Sequence, residues 1–220
     1  MAKKKLYRYQ ALNDLDNVIE LEDYSPTTVS PHRGRWCEAV FGNEQPLILE
    51  LACGKGDYTL NLAARYPQIN FIGVDVKGDR IWRGAVEALE NDLNNVRFLR
   101  IYIDHINNYF SHREVDEIWI TFPDPYLNEK KESKRLTSPI FLERYRKILK
   151  KGGRVNLKTD STELFDFTLD VIRDQHLEIV TFVEDVHNQS HNVPNLDILT
   201  YYEKKHLEEG RTIYFVSFKP

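Results

Sequence analysis

From residue 46 onward, short apolar segments alternate with longer segments whose apolar residues recur at helical spacing. Each apolar segment has the length of one buried strand. The predicted strands span residues 46–51, 71–75, 96–103, 115–122, 154–159, 177–186 and 211–218. The predicted helices lie at 58–65, at 79–93, from 138 to the glycines at 152–153, after residue 160, and near 202–209. Strands that alternate with helices indicate an α/β fold with a mostly parallel sheet and helices on both faces.

The first 45 residues lack this alternation. They begin with three consecutive lysines, Lys3 to Lys5, continue through an acidic patch around Glu22, and then become rich in serine, threonine and proline. We therefore predict a partly flexible N-terminal arm over residues 1–45 and a single domain over residues 46–220. A disordered tail and an arm that contacts a substrate are equal alternatives for this segment.

Composition restricts the class of protein. Hydrophobic residues make up 41% of the chain, enough for a core, and the formal net charge of -4 means that a nucleic acid would need a local basic patch. The two cysteines, Cys37 and Cys53, are too few for a disulfide framework and are typical of a reducing cytosol. The N-terminus lacks the apolar stretch of a secretory signal, and no apolar run approaches the ~20 residues of a membrane span. We therefore expect a soluble, cytoplasmic protein.

A pair of glycines lies where the first predicted strand turns into the first predicted helix. Gly54 and Gly56 carry no Cβ, so the backbone can pass close to a ligand bound beyond the carboxyl ends of the strands. A dinucleotide site would have a third glycine where this chain has Thr59. Glu50, in the preceding strand, would repel a pyrophosphate but would suit the cationic sulfonium and amino group of S-adenosylmethionine. The loop therefore favours a methyl donor over a dinucleotide, and the alternative is a tight turn without a ligand.

Two further carboxylates follow predicted strands at the same edge of the sheet. Asp75 ends the second strand, where it can accept hydrogen bonds from a ribose diol, a role that dehydrogenases share. Asp104 follows the third strand and can either accept from an adenine amino group or cap a helix or turn. Together with Glu50, these residues predict a site for a donor that contains a nucleoside.

The segment after the fourth predicted strand combines a carboxylate, an aromatic ring and several cations. Pro123 and Pro125 restrict the backbone on both sides of Asp124, which lies next to the first strand, where the sulfur of the donor would point. Tyr126 offers an aromatic face on which a base can stack. Four basic side chains suited to phosphates follow: Lys130, Lys131, Lys134 and Arg135. Each feature has an ordinary alternative, such as a turn, a core tyrosine or a solvated face, but their order on one loop predicts an RNA substrate.

This order of motifs resembles that of the bacterial tRNA (guanine-N7-)-methyltransferases, and the resemblance covers nearly the whole chain from residue 34. Further matching segments are 122–125, 157–160, 185–188 and 200–203, followed by Gly210 and residues 213–214. The family is a group of Rossmann-like class I methyltransferases, so the resemblance implies a seven-stranded, mostly parallel sheet. It implies transfer of a methyl group from S-adenosyl-L-methionine to N7 of a guanine in the variable loop of tRNA, with S-adenosyl-L-homocysteine as the product.

The resemblance also assigns roles by position. The implied donor-binding residues are Glu50, Gly54, Gly56, Asp75, Asp104 and Asp124. Asp124 is also the implied catalytic carboxylate. The implied substrate-binding residues are Asn128, Lys130, Lys131, Lys134, Arg135, Asp160, Thr200, Tyr201, Tyr202 and Glu203. The expected partner is tRNA, bound by a monomer or homodimer without a membrane or a metal ion.

Three positions depart from the family pattern. Ala52 stands where the loop usually has its first glycine, and Tyr126 replaces a tryptophan but keeps a stacking face. Asn128 stands where the family has a substrate-binding lysine. Either Asn128 itself or nearby Lys130 takes the place of that lysine.

Guanine N7 has a free lone pair, so the task of the enzyme would be alignment with the donor methyl group. We expect Asp124 to hold the guanine edge and to stabilise the positive charge that develops on the ring, while Asp160 and Glu203 accept from guanine N–H groups. Two alternatives are a methyltransferase of the same fold that acts on another RNA or on protein, and an RNA-binding module without catalysis. His187 and His191 are expected to be polar loop residues rather than metal ligands.

Overall fold

The computed structural model describes residues 7–9, 11–21 and 27–220, and within them one eight-stranded sheet has the order β1-β4-β3-β2-β5-β6-β8-β7. The strands are β1 (Val18–Ile19), β2 (Leu47–Leu51), β3 (Asn70–Asp75), β4 (Val96–Arg100), β5 (Val115–Thr121), β6 (Leu149–Thr159), β7 (Glu178–Val183) and β8 (Tyr214–Lys219). Pairing is parallel except along β8, which runs antiparallel between β6 and β7. The predicted, mostly parallel sheet is confirmed, and the strand beyond the predicted seven is the two-residue β1.

Helices cover both faces of the sheet, as predicted. They are α1 (Asp57–Arg65), α2 (Gly78–Glu90), α3 (Ile106–Tyr109), α4 (Pro139–Ile148), α5 (Thr162–Asp174) and α6 (Tyr201–Glu208). Apolar residues of α1 and α2 pack into one buried cluster, and those of α3, α4 and α5 pack into a second. Strand β2 contributes to both clusters because alternate side chains point to opposite faces, Leu47 and Leu49 to one and Ile48 to the other. No helix in the described part of the chain is both long and apolar enough to cross a bilayer.

Part of the N-terminal segment packs against the domain. Strand β1 pairs with β4 at the edge of the sheet. The indole of Trp36 is fully buried and stacks on Phe110, with 5.2 Å between the ring centroids. The three lysines Lys3 to Lys5 and the acidic residue Glu22 lie outside the described residues. The arm boundary at residue 45 remains a prediction.

Strand β6 begins earlier than the sequence predicts. Helix α4 ends at Ile148 and β6 starts at Leu149, whereas the predicted helix continues to Gly152 and Gly153. Leu149 is buried in the core and pairs with Val115 of β5. The glycines lie within a local irregularity of β6, where Gly152 has φ +83°. The predicted helix end was wrong because the packing and pairing of Leu149 outweigh the local glycine signal.

The N-cap of α5 also differs from the one that the sequence predicts. The spacing of Asp160 and Glu163 predicts a cap at Asp160. In the structure Ser161 is the N-cap, and its hydroxyl accepts from Leu164 N at 3.1 Å. Asp160 instead accepts from the guanidinium of Arg211 at 2.7 Å. Asp160 pairs with Arg211 rather than capping the helix, and local sequence does not reveal a partner so far along the chain.

Candidate active site at the carboxyl edge of the sheet

Four predicted carboxylates lie along one edge of the sheet, because parallel strands end there. Glu50 lies in β2, Asp75 ends β3, Asp104 follows β4 and Asp124 follows β5. Two cavities open at this edge, a larger cavity of about 580 Å³ and a smaller cavity of about 300 Å³. The two cavities share the residues Ala52, Lys77, Arg80, Phe122, Pro123 and Asp124. Asp124 therefore lies at the junction of the two cavities.

The larger cavity has Asp75 and Asp104 in its lining. The Oδ2 atom of Asp75 accepts from Gly54 N at 2.9 Å, and its Oδ1 atom accepts from Lys77 N at 2.8 Å. Each of these oxygens has a second lone pair that can accept from a hydroxyl group. The Asp104 side chain is 60% exposed, and the nearest guanidinium, that of Arg144, lies 3.7 Å away. Both carboxylates can therefore accept hydrogen bonds from a ligand.

The two glycines of the loop after β2 have different roles. Both have left-handed backbones, with φ +59° at Gly54 and φ +76° at Gly56. A Cβ at Gly54 would meet no atom within 4 Å, whereas a Cβ at Gly56 would lie 2.6 Å from the ring of Phe98. Gly54 thus leaves space for a ligand, and Gly56 is required for packing. Sequence reasoning missed Gly84 of α2, where a Cβ would lie 2.3 Å from Lys55 O.

Glu50 is buried beneath this loop and is only 4% exposed. Its Oε2 atom accepts from both the backbone N–H and the hydroxyl of Thr59, and its Oε1 atom accepts from the hydroxyl of Thr121 at 2.6 Å. Burial raises the pKa of Glu50 to about 7, although these hydrogen bonds oppose the shift. The carboxylate therefore connects β2 to the first turn of α1 and to the end of β5.

The Asp124 loop, residues 122–126, has a strained backbone. Phe122 and Tyr126 have left-handed backbones, with φ +49° and +42°, which bulky side chains rarely adopt. The carboxylate of Asp124 is exposed, and its Oδ1 atom accepts from Tyr126 N at 3.1 Å. Burial raises the pKa of the Tyr126 hydroxyl, and the nearby charge of Asp124 raises it further. The loop thus holds a carboxylate and an aromatic ring at the cavity mouth.

Three of the four predicted cations after this loop are exposed. Lys130, Lys131 and Lys134 lie on a 3₁₀ turn, Glu129–Lys134, beside the Asp124 loop. Arg135 differs from the expected exposed cation, since it is only 4% exposed and its guanidinium lies beneath the loop. The exposed basic surface therefore consists of lysines.

The start of α6 forms the far wall of the smaller cavity, which we call the α6 wall. The wall residues that line the cavity are Thr200, Tyr202 and His206. The hydroxyl of Thr200 caps the helix by accepting from Glu203 N at 3.1 Å. The backbone N–H of Tyr201 donates to Asp57 of α1 at 2.8 Å. The contact with Asp57 joins the wall to the first residue of α1, which directly follows the glycine loop.

A buried ion pair supports the α6 wall from below. Lys158 and Glu203 are both 0% exposed, and the Lys158 ammonium lies 2.8 Å from Glu203 Oε2. The ammonium also donates to the carbonyl oxygens of Leu196 at 3.0 Å and Ile198 at 3.1 Å. The His187 ring lies 2.9 Å from Glu203 Oε1. Burial lowers the pKa of Lys158, and the charge of Glu203 opposes that shift.

Glu203 and Asp160, which the sequence predicts to accept from the guanine, are therefore more buried than expected. Both oxygens of Glu203 are bonded within the protein, and the Asp160 side chain is 15% exposed beside Arg211 and His206. Sequence reasoning gave no role to Lys158, although a charged residue inside an apolar predicted strand is a signal for a buried ion pair.

Among the described residues, no group of three or more His, Cys, Asp or Glu side chains is arranged to hold a metal ion.

Comparison with known proteins agrees with this geometry. Residues 44–216 match a family model described as "Putative methyltransferase". A tRNA (guanine-N(7)-)-methyltransferase of Christiangramia forsetii is 42% identical to the chain, over 99% of this chain and 98% of the relative. A protein of the same name from Porphyromonas gingivalis is 46% identical, over 86% of this chain and 77% of the relative. The chain belongs to the tRNA (guanine-N(7)-)-methyltransferase family.

Solved structures with low identity show the same fold. The 16S rRNA methyltransferase KamB has a TM-score of 0.63 at 11% identity, over 88% of this chain and 96% of that chain. A SAM-dependent methyltransferase from Aquifex aeolicus has a TM-score of 0.53 at 16% identity, over 96% of this chain and 97% of that chain. The predicted Rossmann-like methyltransferase fold and the predicted family are therefore confirmed.

Two of the positions that are expected to depart from the family pattern have distinctive local structures. Ala52 has φ +57°, so it occupies a left-handed position that its Cβ disfavours and that a glycine would adopt without strain. Asn128 caps the 3₁₀ turn, because its side-chain oxygen accepts from Lys130 N at 3.0 Å. The Lys130 side chain is exposed next to it.

Proposed function

We propose that this family member transfers the methyl group of S-adenosyl-L-methionine to N7 of a guanine in tRNA. The position of Asp124 at the junction of the two cavities carries the proposal. The adenosine of a donor would lie in the larger cavity, and its methionine portion would extend past Asp124 to the glycine loop, which lines the smaller cavity. A guanine on the α6 side of the smaller cavity would then meet the methyl group beside the carboxylate of Asp124. The acceptor atom is inferred from the name of the relatives, tRNA (guanine-N(7)-)-methyltransferase.

The polar residues that line the two cavities suit S-adenosyl-L-methionine. Asp75 would accept from the ribose hydroxyls with the free lone pairs of its two oxygens, and Asp104 would accept from the adenine amino group. Glu50, which lines the smaller cavity beneath the glycine loop, would offset the positive charge of the methionine portion. Open space above Gly54 would admit the ligand close to the backbone. When bound, the donor supplies an electrophilic methyl group.

A guanine in the smaller cavity would lie between Asp124 and the α6 wall. Because N7 carries a lone pair and no proton, the site needs no general base, and its main task is to hold N7 in line with the methyl group. The ring gains positive charge as N7 is methylated, and the carboxylate of Asp124 would stabilise that charge. Glu203, whose oxygens are already bonded, would position Thr200 and Tyr202. Asp160 remains the proposed acceptor for guanine N–H groups.

The exposed lysines extend the proposed site toward a phosphate backbone. Lys130, Lys131 and Lys134 lie beside the Asp124 loop, so phosphates that flank the target guanine would meet these cations. The ring of Tyr126 lines the larger cavity and offers a stacking surface. The proposed substrate is the variable loop of tRNA, methylated in the cytoplasm by a monomer or homodimer.

The role of Asp124 is tested by Asp124→Asn, which keeps the shape of the side chain but removes its charge. We expect kcat for methyl transfer to tRNA to fall by about 10² or more, because the developing charge loses its partner. Binding of the donor, measured by calorimetry, is expected to change far less. Asp166→Asn on the exposed face of α5 is the matched control and is expected to keep normal turnover. Wild-type turnover by Asp124→Asn would refute the proposed role.

The acceptor atom is tested separately. Tritiated methyl transfer is measured with tRNA transcripts in which the target guanine is replaced by 7-deazaguanine, which has carbon at that position. We expect label on the normal transcript and none on the 7-deaza transcript. Equal labelling of both transcripts would exclude N7 as the acceptor, although it would leave methyl transfer to RNA intact.

A further inference from the structure

Arg135 is the one buried cation in the basic segment of residues 130–135. Its residue exposure is 4%, whereas Lys130, Lys131 and Lys134 are exposed. An arginine that is this deeply buried has little surface from which to donate to the phosphates of a bound RNA. Its position therefore calls for a different role.

The guanidinium of Arg135 is bonded to the end of the Asp124 loop. Its Nε atom donates to Pro125 O at 3.1 Å, and one terminal nitrogen donates to Tyr126 O at 3.2 Å. The other terminal nitrogen donates to Glu132 Oε1 at 3.1 Å. The ring of Phe167 on α5 lies beneath the guanidinium, 4.4 Å from its central carbon. Two consecutive loop carbonyls, one carboxylate and one aromatic face thus surround the side chain.

We propose that Arg135 is a positioning residue that holds the Asp124 loop in its reactive conformation, and that it does not contact phosphate. The proposal rests on the proposed function for the reaction that Asp124 serves. The first end of the loop is already bonded, because Phe122 N donates to the carbonyl oxygen of Lys158 in β6 at 2.8 Å. Arg135 supplies the corresponding attachment at the other end.

The backbone of the loop explains why this attachment is needed. Phe122 and Tyr126 have positive φ values, which persist only where surrounding contacts enforce them. Within the loop, the Asp124 carboxylate accepts one hydrogen bond, from Tyr126 N. Without the bonds from Arg135 to Pro125 and Tyr126, the backbone could relax and carry the carboxylate away from both cavities.

Arginine suits this position better than lysine does. The planar guanidinium presents several N–H donors in fixed directions and stacks on an aromatic face. A lysine ammonium is a compact, strongly hydrated charge, and it cannot reproduce two divergent bonds together with stacking over Phe167. Arg135→Lys therefore keeps the charge of the side chain but removes its geometry.

The first experiment measures donor-site integrity without RNA. We expect Arg135→Lys to weaken binding of S-adenosyl-L-homocysteine by about tenfold in calorimetry, because the Asp124 loop lines the larger cavity. Lys131→Gln, which removes an exposed charge of the same segment, is expected to bind the product normally. Arg146→Lys on α4 is the matched control for the loss of a guanidinium, since Arg146 bonds Glu143 and Gln175 away from both cavities.

The second experiment separates positioning from phosphate contact. We expect Arg135→Lys to lower kcat by about 10- to 100-fold while the slope of log K for tRNA against log salt stays at the wild-type value. Lys131→Gln is expected to weaken tRNA binding and to reduce the magnitude of that slope by about 0.9 if Lys131 meets one phosphate. Arg146→Lys, away from both cavities, is expected to leave both kcat and the slope unchanged. A decrease in kcat with an unchanged salt slope identifies a positioning residue, and a decrease in the magnitude of the salt slope identifies a phosphate contact.

A third variant covers the case in which Arg135→Lys does not fold. Phe167→Leu removes the ring beneath the guanidinium and leaves the charge in place, so we expect a smaller decrease in kcat with an unchanged salt slope. Normal product binding and normal kcat in Arg135→Lys would overturn the proposal, as would normal kcat in Phe167→Leu if Arg135→Lys is unfolded. Failure of the proposed function is a distinct result, because the wild-type protein would then not methylate tRNA.

Discussion

Glu50 is a buried acid in β2, directly beneath the loop that would receive the methyl donor. Three hydrogen bonds from Thr59 and Thr121 favour its charged form, but loss of solvation outweighs them and raises the pKa to about 7. A raised carboxyl pKa means that the folded protein binds the proton more tightly than the unfolded chain does. This residue therefore favours folding below its usual titration range, and that contribution is lost as the pH rises toward 7.

Binding of a cationic donor would instead favour the ionised form of Glu50, because the positive charge stabilises the carboxylate. We therefore expect the affinity for S-adenosyl-L-methionine to rise between about pH 6 and about pH 8, by up to about tenfold, as the proton on Glu50 is lost. Calorimetry in buffers of different ionisation enthalpy would detect the released proton. Glu50→Gln is expected to remove the dependence of this affinity on pH. If the affinity of that variant still rose with pH as in the wild type, the titration would belong to another group.

At the scale of elements, the Lys158–Glu203 pair joins strand β6 to helix α6. The Lys158 ammonium also donates to the carbonyl oxygens of Leu196 and Ile198, in the segment just before α6. Because both charges are fully buried, each is tolerated only in the presence of the other. The α6 wall thus depends on one lysine in the strand beneath it.

Removal of that lysine is expected to destabilise the fold. Lys158→Met would leave Glu203 buried without its ammonium partner, and we expect a loss of about 3 kcal/mol or more in the free energy of unfolding by urea. The double variant Lys158→Met, Glu203→Gln is expected to regain part of this loss, because it removes the unpaired charge. Lys150→Met is the control, since its 2.8 Å pair with Asp116 is partly exposed and is expected to contribute less than about 1 kcal/mol. Equal losses for Lys158→Met and Lys150→Met would contradict the buried-pair account.

At the scale of the whole molecule, a net charge of -4 coexists with a local basic surface beside the Asp124 loop. Net charge sets the long-range field, while the contacts with phosphates depend on the few cations that reach the surface near the site. The burial of Arg135 reduces that surface to its lysines.

The basic surface gives a test at this scale. We expect the double variant Lys130→Gln, Lys131→Gln to weaken tRNA binding and to reduce the magnitude of its salt slope by up to about 2, with donor binding unchanged. The control Lys147→Gln, Lys151→Gln makes the same change in net charge near the opposite edge of the sheet, where both side chains are exposed. If both variants lowered affinity equally, net charge rather than the local surface would guide the RNA.

Much of the candidate site was predictable because it depends on strand ends. The alternation of strands and helices predicts the sheet, and parallel strands bring Glu50, Asp75, Asp104 and Asp124 to one edge. Boundaries that depend on distant contacts were less predictable, as at β6, where core packing of Leu149 outweighs the glycine signal.

The sequence by itself determined the α/β fold, the glycine loop and the family, because these follow from local periodicity and from the order of motifs. The tertiary structure decided which charged side chains face solvent. Lys158 and Glu203 lie 45 positions apart and meet only when β6 and α6 pack, and Arg135 becomes buried only when the Asp124 loop closes over it. The reason is physical, since a charge can be buried only where a partner offsets its lost hydration, and folding supplies that partner from a distant part of the chain.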